Sequence, residues 1–288
     1  MHGEPIMLVG VGEWGFREMP MEDHFRIAKK FGFKYLEFGI GGGQVGRLPE
    51  EPTAKDVEDF VALGREYNIV TPFCCVENDY TLPDAAAHDA MLAKTLQSMR
   101  TAKECGATHM RLFAGFTPAA EMTEEIWSRM FDAFRQSEAL CEELDMLIAI
   151  ETHGKIEDLG GGALKHIHTV STDIESLKRL VAELPPRVGF NYDPGNLKPL
   201  ADGDASLRLD LINDRINYCH MKDWKRNGDG WTACAIGDDD LDYKPLLDRM
   251  TFDGVYQIEY EPLHDVEDGI QRSLDYLNRI VSNVVLTD

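Results

Sequence analysis

Four segments of the chain end in side chains that commonly bind metal ions. Each segment begins as an apolar run typical of a buried strand, and the four residues at their carboxyl ends are Glu151, Asp193, His220 and Glu259. Three carboxylates and one neutral imidazole make an oxygen-rich set of donors. Such a set suits Mn²⁺, Mg²⁺ or Co²⁺ better than it suits a thiolate-rich structural zinc site. The pattern predicts a divalent metal site if the four strand ends meet.

The elements that must position these residues alternate between strand and helix along the whole chain. Eight apolar strands are predicted to end near Gly12, Gly39, Val76, Gly115, Glu151, Asp193, His220 and Glu259. Strict alternation predicts parallel pairing, and eight units in 288 residues predict an α/β fold with one (β/α)8 TIM barrel over residues 1–288. The carboxyl ends of barrel strands gather on one rim, so the four candidate ligands should converge. An open doubly wound sheet is the alternative, but no dinucleotide-binding fingerprint follows the first strand.

Two long segments do not fit the alternation. Residues 155–170 and 224–240 show no clear period, and we predict that both are loops. Loops of this length on a compact domain usually serve as lids or binding loops.

The composition indicates which partners are not expected and in which compartment the protein should occur. The chain has 29 lysines and arginines against 51 acidic residues, a formal charge of -22. This charge repels nucleic acid and gives no general affinity for an anionic membrane, so neither partner is expected. The six cysteines contain no CxxC pair, which indicates reduced thiols in a cytoplasmic protein. No apolar run approaches the ~18 residues of a membrane span, and no signal peptide is evident.

Two further residues should face the same rim because side chains two apart on a strand point the same way. His153 follows Glu151 by two positions and could bind substrate, transfer a proton or donate a supporting hydrogen bond. Lys222 follows His220 by two positions. It could bind substrate by stabilising an anionic oxygen, act as an acid, or simply pair with Asp223 or Glu261.

The motifs around the four candidate ligands resemble the metal site of the xylose isomerase-like TIM-barrel superfamily, and within it the sugar phosphate isomerase/epimerase group. They are IETHG, YDPGN, CHMKD and IEYEP, which contain Glu151, Asp193, His220 and Glu259 in that order. The resemblance spans nearly the whole chain. It implies one divalent ion held by these four residues, with Mn²⁺ favoured and Mg²⁺, Co²⁺ and Zn²⁺ as alternatives.

The resemblance also implies a reaction and an assembly. In related ketose epimerases two metal-bound glutamates remove and return a proton beside the substrate carbonyl, roles that here would fall to Glu151 and Glu259. The implied function is a metal-dependent isomerase or epimerase that acts on a keto sugar or related polyol through an enediolate. Relatives are commonly dimers or tetramers, so a homo-oligomer is expected.

One residue departs from the pattern of the group. Its epimerases often carry histidine three residues after the aspartate, where this chain has Asn196. An amide can bind a substrate hydroxyl but cannot shuttle a proton. A dehydratase acting on a keto-inositol or dehydroshikimate, or a lyase acting on a 3-keto glycoside, therefore stays open. A catalytically silent sugar-binding or scaffold subunit is the alternative from another class.

The superfamily also contains endonuclease IV-like enzymes with a trinuclear zinc cluster. That site needs further histidines at several strand ends, where this chain has Gly39, Cys74 and Cys75. The charge of -22 argues against DNA as well. We therefore do not expect a DNA-repair function.

Overall fold

The computed structural model describes residues 6–287 and contains the predicted eight-stranded parallel barrel. The strands are β1 Met7–Val11, β2 Tyr35–Ile40, β3 Val70–Val76, β4 His109–Leu112, β5 Leu147–Glu151, β6 Lys155–Gly160, β7 Ala163–Ile167, β8 Val188–Tyr192, β9 Ile216–Met221, β10 Asp223–Asn227, β11 Gly230–Cys234, β12 Val255–Ile258 and β13 Val284–Val285. The helices are α1 Met21–Phe31, α2 Ala54–Tyr67, α3 Ala85–Glu104, α4 Glu124–Glu143, α5 Ile174–Glu183, α6 Pro194–Leu197, α7 Leu209–Ile212, α8 Lys244–Leu247 and α9 Val266–Ile280. Residues 1–5 and 288 of the predicted domain lie outside the described residues.

The barrel strands pair in the order β1, β2, β3, β4, β5, β8, β9 and β12, and β12 returns to pair with β1. All these pairings are parallel, and the closing pair sets Leu8 opposite Val255. The two-residue strand β13 adds a short parallel pairing beside the start of β1. Because every barrel strand runs the same way, all eight carboxyl ends open onto one rim.

Local signals explain where several helices begin and end. Helix α1 stops at Gly32, whose φ of 85° is left-handed and favours glycine. Helix α2 starts with a capping box in which Thr53 and Asp56 satisfy each other's backbone amides. Helices α7 and α8 are single turns of four residues each.

The two segments predicted as loops form hairpins instead, so that prediction was wrong. Strands β6 and β7 pair antiparallel, as do β10 and β11, and Trp231 of β11 pairs with Leu164 of β7 to join them into one four-stranded sheet. Glycines make the turns, because all three residues of 160–162 and also Gly228 have positive φ values. The sheet brings Ile156 of β6 to the barrel rim, where it lines the cavity described below.

Two further features of the described residues concern the cysteines and the length of the helices. All six cysteines are buried free thiols. Within residues 6–287, no helix combines the length and apolar character needed to cross a bilayer.

Candidate active site

The four predicted metal ligands come together at the rim. Glu151 is the last residue of β5 and Asp193 caps α6 directly after β8, while His220 lies in β9 and Glu259 directly follows β12. All four side chains are buried. One donor atom from each lies within 4.8 Å of the other three. Residues up to 108 positions apart in the sequence thus form one compact set of donors (259 − 151 = 108).

The donor set fits a divalent cation. His220 Nδ1 lies 3.7 Å from Glu151 Oε1 and 3.2 Å from Glu259 Oε2. Among the described residues this buried nitrogen has no hydrogen-bond partner of good geometry. A buried nitrogen without a partner, surrounded by three carboxylates, is costly unless a cation or proton occupies the space between them.

Lys222 supplies the nearest positive charge of the chain itself. Its Nζ lies 2.6 Å from Glu259 Oε2 and 3.3 Å from Asp193 Oδ2. It also reaches Glu261 Oε2 at 3.3 Å, whereas Asp223 pairs with Lys198 at 2.9 Å. Lys222 therefore sits among the candidate ligands and pairs with Glu261, one of the two partners that the sequence suggested.

Glu37 of β2 orients His220 and was missed by the sequence analysis. Its Oε1 lies 2.6 Å from His220 Nε2 and also accepts a hydrogen bond from the Tyr218 hydroxyl. The backbone amide of Glu13 donates to its other oxygen at 3.1 Å. Burial alone would raise the pKa of Glu37, but His220 outweighs burial and lowers it. A carboxylate accepts a hydrogen from Nε2, which leaves Nδ1 as the ring atom that faces the other donors.

Two more side chains hold Glu151. Arg111 of β4 forms an ion pair with Glu151 Oε2 at 3.1 Å. Asn196 Nδ2 donates to Glu151 Oε1 and to Asp193 Oδ2, both at 2.9 Å. Burial would raise the pKa of Glu151, but Arg111 and His220 lower it to about 2. Asn196 is fully buried and links two candidate ligands, so its predicted contact with substrate stays a prediction.

Asp193 differs from the other two carboxylates in its protonation. Burial raises its pKa to about 7, against the lowering effect of Lys222. Its backbone amide donates to Thr152 Oγ1 at 2.9 Å, which ties the end of β8 to the end of β5. A cation at this site would therefore compete with a proton on Asp193 near neutral pH.

A second group of buried ion pairs supports Arg111 from the first strands of the barrel. Arg47 Nε donates to Glu13 Oε1 at 2.9 Å, and its NH1 donates to Glu77 Oε1 at 2.8 Å. Arg111 NH2 lies 3.7 Å from the same oxygen of Glu77. Gly39 leaves space for the Arg47 side chain, which a Cβ at that position would strike. The sequence signal for this network is a charged residue inside an apolar strand, as Arg111 is in HMRL.

A cavity of about 140 Å³ opens beside the donors. Apolar walls come from Trp14, Phe113, Phe116 and Ile156. Charged side chains line the rest, namely Glu77, Arg111, Glu151, Lys222, Glu259 and Glu261. Two of the four candidate ligands, Glu151 and Glu259, thus face a space that a small molecule could enter.

His153 completes the lining and can act as a base by its geometry. Its Nδ1 lies 2.6 Å from the carbonyl oxygen of Gly154, which can only accept a hydrogen. Burial lowers the pKa of His153, which favours the neutral ring with a bare Nε2. The ring packs edge-on against Phe113 at 5.1 Å and Phe116 at 5.9 Å. His153 lies in the cavity wall, and its predicted contact with substrate stays a prediction.

Comparison with known proteins identifies related sequences and folds. The family model for xylose isomerase-like TIM barrels matches residues 25–280. An inosose dehydratase of Lactiplantibacillus plantarum (strain ATCC BAA-793 / NCIMB 8826 / WCFS1) is 31% identical over 117 residues, which covers 34% of this chain and 39% of that protein. The chain therefore aligns with less than half of that relative's length.

Two solved structures share the fold over nearly the whole chain. A D-tagatose 3-epimerase-like protein superposes with a TM-score of 0.72 and 16% identity, covering 95% of this chain and 98% of that one. The IOLI protein with a bound zinc atom superposes with a TM-score of 0.73 and 16% identity, covering 96% and 98%. Identities this low establish a shared fold and leave the reaction open.

Proposed function

The chain belongs to the xylose isomerase-like TIM-barrel family, and from this premise we propose that it is a divalent-metal-dependent isomerase or epimerase of a keto sugar or related polyol. The observation that carries the proposal is the convergence of four donors from four strand ends beside a cavity. Glu151 and Glu259 belong to both the donor set and the cavity wall. Opposed carboxylates beside a cation are what proton transfer next to a carbonyl requires.

The metal would be held by Glu151, Asp193, His220 and Glu259. When bound, it would supply Lewis-acid stabilisation of the negative charge that develops on a carbonyl oxygen as the neighbouring carbon loses its proton. The oxygen-rich donor set favours Mn²⁺, and the bound zinc of the IOLI protein supports Zn²⁺ as an alternative.

The proton transfer itself is proposed for the two glutamates. One carboxylate removes the proton beside the carbonyl, and the other returns a proton to the product. Return to the same carbon from the opposite face gives an epimer, while delivery to the adjacent carbon gives an isomer. Lys222 Nζ lies 2.6 Å from Glu259 Oε2 and holds that carboxylate beside the cavity, and its predicted contact with substrate stays a prediction.

Dehydration is the second candidate reaction, and three observations favour it. The match to an inosose dehydratase comes from sequence, and His153, whose Nδ1 contacts the Gly154 carbonyl oxygen and leaves Nε2 bare, lines the cavity. In this reaction Nε2 takes the proton from carbon and gives it to the neighbouring hydroxyl, which leaves as water while the carbon–carbon double bond forms. The chain has Asn196 where an epimerase of the group often has a histidine, which also favours this second reaction.

Proton exchange in D₂O tests the proposal and separates the two reactions. Metal-loaded protein is incubated with ketoses, inososes and 3-keto glycosides, with a chelator-treated sample as control. The proposal predicts metal-dependent deuterium uptake beside the carbonyl, lost in Glu151→Gln at matched metal content. Products of unchanged mass indicate isomerisation or epimerisation, and products that have lost one water indicate dehydration. If metal is bound and no substrate exchanges, the proton-transfer proposal is wrong for these substrates and a silent subunit becomes the better account.

His153→Gln then identifies the proton carrier. Dehydration through Nε2 predicts that this variant loses water release while it retains metal affinity. Isomerisation through the two glutamates predicts that it retains most of its turnover. Full dehydration by the variant would exclude His153 as the acid.

A further inference from the structure

The charged groups around the cavity indicate which kind of substrate it accepts. We infer that the substrate is an uncharged polyol whose hydroxyl groups are bound by Glu77 and Glu261, and that phosphate esters and carboxylates are rejected. This inference rests on the proposed function, because it concerns the ligand of the same site.

Arg111 in the cavity wall is already paired with carboxylates. It pairs with Glu151 Oε2 at 3.1 Å, and its NH1 donates to the carbonyl oxygen of Val76 at 3.1 Å. Its guanidinium lies 4.1 Å over the Phe113 ring, and its side chain is 4% exposed. A cation so placed neutralises a buried carboxylate, and an anion that approached it would also meet the negative charges of Glu151 and Glu77.

The other cationic side chains near the cavity are also paired with oxygen atoms of the protein. Lys222 contacts three carboxylates within 3.3 Å. Arg17 donates through NH1 to the carbonyl oxygen of Glu261 at 3.0 Å and stacks on Trp14 at 4.4 Å. Among the described residues that line the cavity, only Arg111 and Lys222 carry positive charge. A substrate phosphate would therefore find no unpaired cation in the wall.

Two carboxylates of the cavity wall each keep one oxygen available to accept a hydrogen bond. Every hydrogen bond and ion pair of Glu77 within the described residues involves Oε1, and those of the Glu261 side chain involve Oε2. Burial alone would raise the pKa of Glu77, but Arg111 and Arg47 lower it, so the group is ionised at neutral pH. An ionised carboxylate accepts hydrogen bonds from hydroxyl groups and repels an anion at the same distance.

Part of the cavity wall is apolar. Trp14, Phe113 and Phe116 line the cavity together with Ile156. Faces of this kind pack against the C–H surface of a sugar or cyclitol while a few polar groups fix its orientation. Aromatic walls combined with two hydroxyl acceptors match an uncharged polyol.

The test compares matched neutral and phosphorylated ligands. The metal-loaded protein is titrated calorimetrically with inositols and ketoses and with their monophosphates, and deuterium exchange is measured for the keto forms. We expect the neutral ligand to bind at least about tenfold more tightly, a difference of one decade in Kd. Glu77→Gln and Glu261→Gln should each reduce this preference, while Glu58→Gln, on the exposed face of α2, should leave it unchanged.

The outcomes separate this inference from the proposed function. Tighter binding or faster exchange of the phosphate ester overturns the inference while the proton-transfer proposal stands. A preference for the neutral ligand without any exchange supports the inference and counts against the proposed reaction. If the two glutamine variants and Glu58→Gln show the same preference as the unaltered protein, Glu77 and Glu261 do not select the substrate and the inference is wrong. If neither ligand binds, both are wrong.

Discussion

The two halves of the barrel rim carry similar charged side chains but differ in how those side chains are paired. Strands β5, β8, β9 and β12 supply the four donors, and the buried Nδ1 of His220 has no hydrogen-bond partner among the described residues. Strands β1 to β4 and the segments after them supply Glu13, Glu37, Arg47 and Arg111, which are bound to one another or to the donors. We call these the donor half and the supporting half. Charges in the supporting half are satisfied by one another or by the donors, so they can orient the donor half.

This difference leads to separable effects of mutation. Loss of a donor should act first on metal binding, because a ligand of the cation is removed, while Arg111 or Lys222 also loses a partner when Glu151 or Glu259 is replaced. Loss of a supporting charge leaves a buried opposite charge without its partner and should affect stability, donor orientation or both.

The largest expected effect is on stability, in Arg111→Met. The substitution leaves Glu151 and Glu77 without their shared cation, and breaking a buried pair in this way costs about 3–5 kcal/mol. The free energy of unfolding from urea titration measures it. Arg135→Met, at an arginine that is 54% exposed, is the matched control and should show little change. Equal effects in the two variants would contradict the role of Arg111.

Next in size is the effect of Glu37→Gln on metal affinity. A glutamine amide can donate to His220 Nε2, which would place the hydrogen of the neutral ring on Nδ1 and block that atom as a ligand. Loss of such an outer partner weakens metal binding by about 10- to 100-fold. Calorimetry with Mn²⁺ and the visible absorption of bound Co²⁺ report the change. An unchanged affinity in a folded variant would show that Glu37 does not control the ring.

The change of metal affinity with each pH unit should be smaller than the change caused by Glu37→Gln. Burial raises the pKa of Asp193 from its usual 3.8 to about 7, so below pH 7 the ion must displace a proton. Burial lowers the pKa of His220, but Glu259 and Glu37 outweigh burial and raise that pKa. A proton on His220 would therefore also compete with the ion at low pH. Affinity should therefore rise with pH, by at least about tenfold per unit below pH 7. A flat profile between about pH 6 and pH 7 would contradict this protonation of the donor half.

The smallest expected effect is that of Tyr218→Phe. It removes the hydroxyl that donates to Glu37 and leaves the contact between Glu37 and His220 in place. The loss of one hydrogen bond costs about 1 kcal/mol of stability, and metal affinity should fall less than in Glu37→Gln. Unfolding and metal titrations of both variants, run side by side, give the comparison. A larger loss of affinity in Tyr218→Phe would reverse the assigned order of the two residues.

The donor half could be predicted from the sequence because its residues lie where apolar strands end. Glu151 and Glu259 end or follow strands of a parallel barrel, and parallel strands bring their carboxyl ends to one rim. The supporting half was not found because its pairs depend on distance across the barrel. Glu37 and His220 are 183 positions apart in the sequence, and only the closed sheet brings them within 2.6 Å.

The hairpins illustrate a second limit of sequence analysis. Strands β6 and β7 carry no long apolar run and bury only His166, so hydrophobic periodicity is weak there. The turn signal at Gly160, Gly161 and Gly162 was visible, but the pairing of β11 with β7 joins segments 67 positions apart (231 − 164 = 67). Homo-oligomerisation and cytoplasmic location stay predictions of the sequence.

Metal binding by the donor half is the claim on which the proposed chemistry depends, and metal stoichiometry tests it most directly. Protein dialysed against Mn²⁺ or Co²⁺ and then against buffer is analysed for bound metal, beside Asp193→Asn. The account predicts one ion per chain in the unaltered protein and a loss of affinity in Asp193→Asn that exceeds the ~10- to 100-fold loss expected for an outer partner. Failure to retain metal, or equal retention by Asp193→Asn, would contradict the assignment of the four residues as a metal site.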